Sequence, residues 1–140
     1  MTADRNDPGY EPRFDLDYEF GRQGELWVDS VVQALRTERA EVKTDGRVSR
    51  TGNLYVEFEC RRRDGWQRSG LATTQSDVWV FVLGSSGMAL VVKTDVLKEL
   101  CRPLWKAGKV AAETDGSHPT KGVLLPLNLL VAYVRERRVA

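Results

Sequence analysis

The chain has 140 residues, 41% hydrophobic and 29% charged, with a formal net charge of +1. That length suits one domain with one sizeable core, and the composition excludes a disordered or low-complexity chain. A charge balance this close to neutral sets up no whole-molecule field for nucleic acid or membrane, so any basic patch has to be local. No apolar run approaches the length of a membrane span, and the opening MTADRNDPGYEPRFD lacks an apolar leader core. An intracellular, cytoplasmic domain is the expectation. Cys60 and Cys101 each sit in an apolar pattern without C-x-x-C spacing, which predicts two buried free thiols rather than a disulfide.

In chain order, residues 1–13 are polar and rich in Asp, Arg and Pro and read as a mobile tail, with 14–140 as the single domain. Phe14–Phe20 alternates apolar and acidic residues, as a short edge strand or extended lead-in would. Gly21–Arg36 reads as a helix, with Val28, Val31, Val32 and Leu35 as its inward stripe and Glu25 on the shoulder. Two strand-like runs follow, Arg39–Asp45 and Asn53–Cys60, joined by a polar turn into a hairpin. Arg61–Gly70 reads as a basic loop. Asp77–Leu83 is apolar on both faces, the pattern of a central covered strand. GSSG at 84–87 marks a turn, and Met88–Lys93 supplies the partner strand.

Thr94 and Asp95 suit the cap of a helix over Val96–Trp105, whose stripe is Leu97, Leu100, Cys101 and Leu104 and which Pro103 ends or kinks. Residues 106–120 read as a loop and GVLLP as a strand. Pro126 then opens a last helix with the stripe Leu127, Leu130, Val131 and Val134. This order predicts an α/β (α+β) layered domain, a central mixed sheet flanked by helices.

Side chains alternate along a strand. The first run therefore sets Glu41, Lys43 and Asp45 on one face, opposite Ala40, Val42 and Thr44. The second sets Tyr55, Glu57 and Glu59 opposite Leu54, Val56, Phe58 and Cys60. If the two pair with their apolar faces on one core, four carboxylates and one ammonium share the other surface. Opposed like charges destabilise a sheet, and a hard divalent cation with oxygen ligands would relieve them.

A helix bearing a glutamate, a strand ending in aspartate, a strand with Glu-x-(Lys/Glu) and an apolar strand resemble the PD-(D/E)XK phosphodiesterase superfamily. Within it the likeness is to small Holliday-junction-resolvase-like and phage-type nucleases, over about residues 24–83. The resemblance implies a restriction-endonuclease-like fold and Mg²⁺- or Mn²⁺-dependent cleavage of duplex or branched DNA by a homodimer. It assigns Asp45 and Glu57 as metal ligands, with Glu25 completing or supporting the site. Glu59 stands where the family has lysine and would serve as ligand or general base. Lys43 could supply the missing cation, and Glu41-Val-Lys43 offers a second registration with Glu25 or Asp29 upstream. Loss of the lysine also leaves room for a non-catalytic DNA-binding or assembly protein that keeps the architecture.

Arg61, Arg62, Arg63 and Arg68 suit phosphate contacts, Trp66 could stack on a splayed base, and Lys121 fits a DNA-facing rim. Each residue also has an ordinary role. Asp45 before Gly46 is a common turn pair. Glu57 and Glu59 suit a wet strand face, Glu25 a solvated helix and the arginines a solvated loop. His118, the single histidine, reads as an exposed loop residue.

Overall fold

The computed structural model describes residues 12–113 and 118–137. The expected tail lies outside them apart from Pro12 and Arg13, which belong to the first helix. In this region α1 spans Pro12–Arg36, so Phe14–Phe20 is helical rather than extended. The local sequence accounts for this. Pro12 occupies the first helical position, where its missing N–H costs nothing. The helix closes where Glu38 turns left-handed at φ 57° and Arg39 N–H donates back to Ala34 O at 2.8 Å.

Of the expected inward stripe of α1, only Val31 turns inward. Trp27 and Val31 are half-buried and Ala34 is 5% exposed, whereas Val28, Val32 and Leu35 are 57%, 39% and 49% exposed. Two apolar stripes about 100° apart compete on this helix, and its neighbours select the one containing Trp27.

Among the described residues seven strands form two sheets. β1 (Ala40–Asp45) runs parallel to β4 (Val78–Leu83), which pairs antiparallel with β5 (Ala89–Lys93). β2 (Asn53–Arg62), β3 (Gly65–Arg68), β6 (Ala111–Glu113) and β7 (Thr120–Pro126) form an antiparallel sheet in the order β3-β2-β7-β6. The chain is thus a mixed α/β domain with a mixed sheet, as expected.

The hairpin of β1 and β2 does not exist, however: the two strands lie in different sheets, joined through the short helix α2 (Val48–Thr51). The expected basic loop is instead a hairpin of β2 with β3, and Ala111–Glu113 adds a strand to the predicted loop. Residues 114–117 of that loop lie outside the described residues.

The core lies between the sheets and α3 (Thr94–Lys106). β2 gives Leu54, Val56 and Phe58; β4 gives Trp79 and Phe81; β7 gives Val123 and Leu125; α3 gives Leu97 and Cys101. α3 continues through Pro103 to Lys106, so proline does not end it there. Thr94 does not cap α3; its hydroxyl donates to Ser76 O at 2.6 Å and pins the helix start to the segment before β4.

The last helix, α4 (Leu127–Glu136), leaves Val131 and Val134 at 52% and 69% exposed, while Leu127 and Leu130 pack on the core. Its end is tied to α3 by Arg137, which meets Glu99 at 3.0 Å. Both cysteines are buried and free. Among the described residues no helix is long and apolar enough to cross a membrane.

Candidate functional site: an inward-turned charged strand face

β1 carries the decisive departure from its sequence pattern. In parallel pairing, residues at the same level point to the same side, and Glu41 is level with Trp79 and Lys43 with Phe81. Trp79 and Phe81 are 1% and 0% exposed and belong to the core. The charged face of β1 therefore looks toward the core side of the sheet, while Val42, expected inside, is 52% exposed. Glu41 and Lys43 are left 38% and 39% exposed and satisfy each other across 2.9 Å.

This inward face opens onto a cleft of about 270 Å³ between the sheets. Lys43, Asp45, Arg47, Tyr55 and Glu57 supply its polar wall, and Trp79 and Phe81 its floor. Two carboxylates and one ammonium of the expected set thus meet in one place. The indole N–H of Trp79 is buried without a hydrogen-bond partner.

Asp45 is fixed from three sides by backbone. Its Oδ1 accepts from Arg47 N–H at 2.9 Å and Val48 N–H at 3.0 Å, covering the amides that open α2, and its Oδ2 accepts from Tyr55 N–H at 3.1 Å. The turn role expected of an Asp-Gly pair is therefore real, and it extends further by joining the end of β1 to β2 across the two sheets. Glu57 Oε1 accepts from the Ser69 hydroxyl at 2.6 Å. Just after Ser69, the 3-10 turn Gly70–Ala72 packs so closely on β2 that a Cβ at Gly70 would strike the Glu57 carbonyl. Gly70 also has φ +52°, a conformation that suits glycine.

The remaining predicted residues lie elsewhere. Glu25 is exposed on α1 beside Tyr18, Gly21 and Arg22 and does not line the cleft. Glu59 lines a separate cleft and stands level with Arg68 of β3. A bulge between Glu57 and Glu59 shifts the pairing of β2 with β7, and β2 turns a different part of its edge to each cleft. The four-carboxylate surface is consequently not formed, because its premise was a hairpin that the topology replaces. Among the described residues no group of three or more His, Cys, Asp or Glu side chains is placed to hold a metal ion.

Arg61, Arg62 and Arg63 are exposed along the end of β2 and its turn. The Arg62 Nε donates to Cys60 Sγ at 3.2 Å, and Arg68 donates to Ala72 O at 3.1 Å. The Lys121 ammonium sits 4.1 Å from the centre of the Trp66 ring, so one face of that ring already holds a cation. His118 is exposed, as expected.

Ser69, which positions Glu57, is a functional residue that the sequence pattern alone does not single out. Its seryl-glycine step before an apolar turn was the available signal. The chain matches no protein-family model, no curated protein and no solved structure.

Proposed function

We propose that the chain is a metal-dependent phosphodiesterase acting on duplex or branched DNA, with Lys43, Asp45 and Glu57 as its working groups. The observation that carries this reading is the inversion of β1. That inversion puts Lys43 and Asp45 on a cleft shared with a second carboxylate, Glu57, where an apolar face would have filled the space. The restriction-endonuclease-like fold and the resemblance of residues 24–83 to resolvase-like nucleases belong to the same proposal.

The donor set fits a hard divalent ion. Mg²⁺ needs one or two protein carboxylates and keeps waters and substrate phosphate for the rest. Asp45 has acceptor capacity left on Oδ2 after its three amide bonds, and Glu57 retains Oε2. When bound, such an ion supplies Lewis-acid stabilisation of a phosphoryl oxygen and lowers the pKa of a coordinated water. The chain's own residues do the rest. Ser69 aims Glu57, the amides of Arg47, Val48 and Tyr55 hold Asp45 in place, and Lys43 sets a positive charge near where phosphate charge would build up. Arg61, Arg62, Arg63 and Arg68 would hold the DNA backbone from the neighbouring hairpin. A homodimer is part of the proposal, supported by the exposed stripe Val28, Val32 and Leu35 of α1.

A second reading, a DNA-binding protein without catalysis, is favoured by one observation: three of the acceptor sites of Asp45 are already spent on backbone amides. The test is cleavage of supercoiled plasmid and of a four-way junction in Mg²⁺ and in Mn²⁺, comparing the parent with Glu57→Gln. Cutting by the parent that Glu57→Gln abolishes, with fold and DNA binding retained, supports the enzyme. Binding with no cutting by the parent in either ion overturns it in favour of the second reading.

A further inference from the structure

A second cleft, of about 400 Å³, lies on the α3 side of β2 and shares no lining residue with the first. Lys98, Arg102 and Lys106 line it from α3. They stand four residues apart, so they stack on one helix face and span about 12 Å at 1.5 Å of rise per residue. Arg68 adds a fourth cation from β3, against the single carboxylate of Glu59. Among the described residues no ion pair engages Lys98, Arg102 or Lys106.

Beneath the cations, the Phe58 ring and the Trp105 indole stack with centroids 4.8 Å apart and planes 9° from parallel. Phe58 is buried, whereas Trp105 is only half-buried and lines the cleft. A row of unneutralised cations beside a flat, supported indole is the composition of a site for an anionic chain that also carries rings.

We propose that this cleft binds single-stranded nucleic acid, with backbone phosphates along Lys98, Arg102 and Lys106 and an unpaired base against Trp105. The row of cations is longer than a lone phosphate would use, which favours a polyanion over a mononucleotide. A base inside a duplex is stacked on its neighbours and cannot reach a recessed indole, whereas a single strand offers its base faces freely. An acidic polypeptide would satisfy the cations and leave the indole idle. The inference stands apart from the Lys43–Glu57 cleft. Because Glu57 lines one cleft and Phe58 and Glu59 the other, the two adjoin along β2.

The test is fluorescence anisotropy of a labelled oligo(dT) fifteen-mer with the full chain in EDTA, where no metal-dependent cutting can intervene. Its failure is thereby read separately from failure of the phosphodiesterase proposal. The expected result is binding that weakens with salt, and that falls at least about tenfold in Arg102→Glu/Lys106→Glu. The slope of log affinity against log salt should shrink by about 1.4, at about 0.7 per lost phosphate contact on a single strand. Both positions are exposed, and urea midpoints matching the parent confirm that the variant folds. Trp105→Leu should weaken binding with the salt slope unchanged, since a stack releases no counterions. No binding by the parent, equal or tighter binding of a duplex, affinity within twofold after the charge reversal, or equal competition by poly-glutamate would each overturn the proposal.

Discussion

Asp45 gives the sharpest test, because its position predicts a large effect on folding as well as on any activity. Its carboxylate accepts three backbone amides, two opening α2 and one from β2. Asp45→Ala strands all three. Arg47 is exposed, so its amide can turn to water. The Val48 and Tyr55 amides are partly buried, and each loses a charge-assisted bond worth about 1.5–3 kcal/mol. Allowing for partial rehydration, the expected cost is about 2–4 kcal/mol, a large share of the ~5–15 kcal/mol that stabilises a typical domain. With a urea slope of about 2 kcal/mol/M, the unfolding midpoint falls by roughly 1–2 M. Asp45→Asn should cost less, since Oδ1 can keep the α2 amides while the new N–H₂ opposes Tyr55 N–H. An alanine variant within about 0.5 kcal/mol of the parent, the range of an ordinary surface change, would refute the clasp between the two sheets. It would also remove the reason for reading lost activity in that variant with caution.

Three further outcomes follow from the same geometry. Gly70→Ala must place a Cβ against the Glu57 carbonyl at φ +52°; it should lower Tm by several degrees and, by shifting Ser69, reduce any Glu57-dependent cleavage further than its stability loss explains. Val42→Lys, on the outward side of β1, should change stability by less than about 0.5 kcal/mol in urea unfolding, where the sequence pattern alone would forecast a ruined core. Burial pushes the Cys101 thiol up from 9.0 to about 12. The unfolded thiol therefore ionises first, and stability present below pH 9 is lost as pH rises toward 12, at about 1.4 kcal/mol per pH unit for this group. The stability gap between the parent and Cys101→Ala should accordingly narrow between pH 8 and pH 10.5, and a gap that widens would contradict the burial.

What the sequence made legible was set by how strong each local pattern is. Leu54, Val56, Phe58 and Cys60 alternate so firmly that β2 has one possible inward face, and all four are buried. Asp77–Leu83 reads as a covered strand because apolar side chains fill both faces. β1 had no such anchor: Ala40, Val42 and Thr44 are too small to outbid Glu41, Lys43 and Asp45, and pairing with β4 decided the orientation. On α1, Val31 belongs both to the expected stripe with Val28, Val32 and Leu35 and to one with Trp27 and Ala34, and only the tertiary partner chooses between them. The β2–β3 hairpin turns at Asp64-Gly65, a turn pair whose glycine takes φ 108°, within a run that its arginines make look like a loop.

The cleft gathers only Lys43, Asp45 and Glu57 of the set that the strand pattern suggests, for a physical reason that also limits what it can do. The strand pattern implies neighbours in one sheet, yet Asp45 and Glu57 line one cleft because the Asp45 carboxylate clasps two sheets together. Of about four acceptor positions on Asp45, three serve that clasp, and the capacity left on Oδ2 is all that a cation can use. Folding and ligation would therefore draw on the same oxygens. Asp45→Asn keeps an oxygen for α2 and presents N–H₂ where Oδ2 was. A cation bound there would lose affinity far more than the fold loses stability. If titration with Mn²⁺ gives the same affinity for Asp45→Asn as for the parent, the ion does not use Asp45, and its carboxylate is a structural clasp alone.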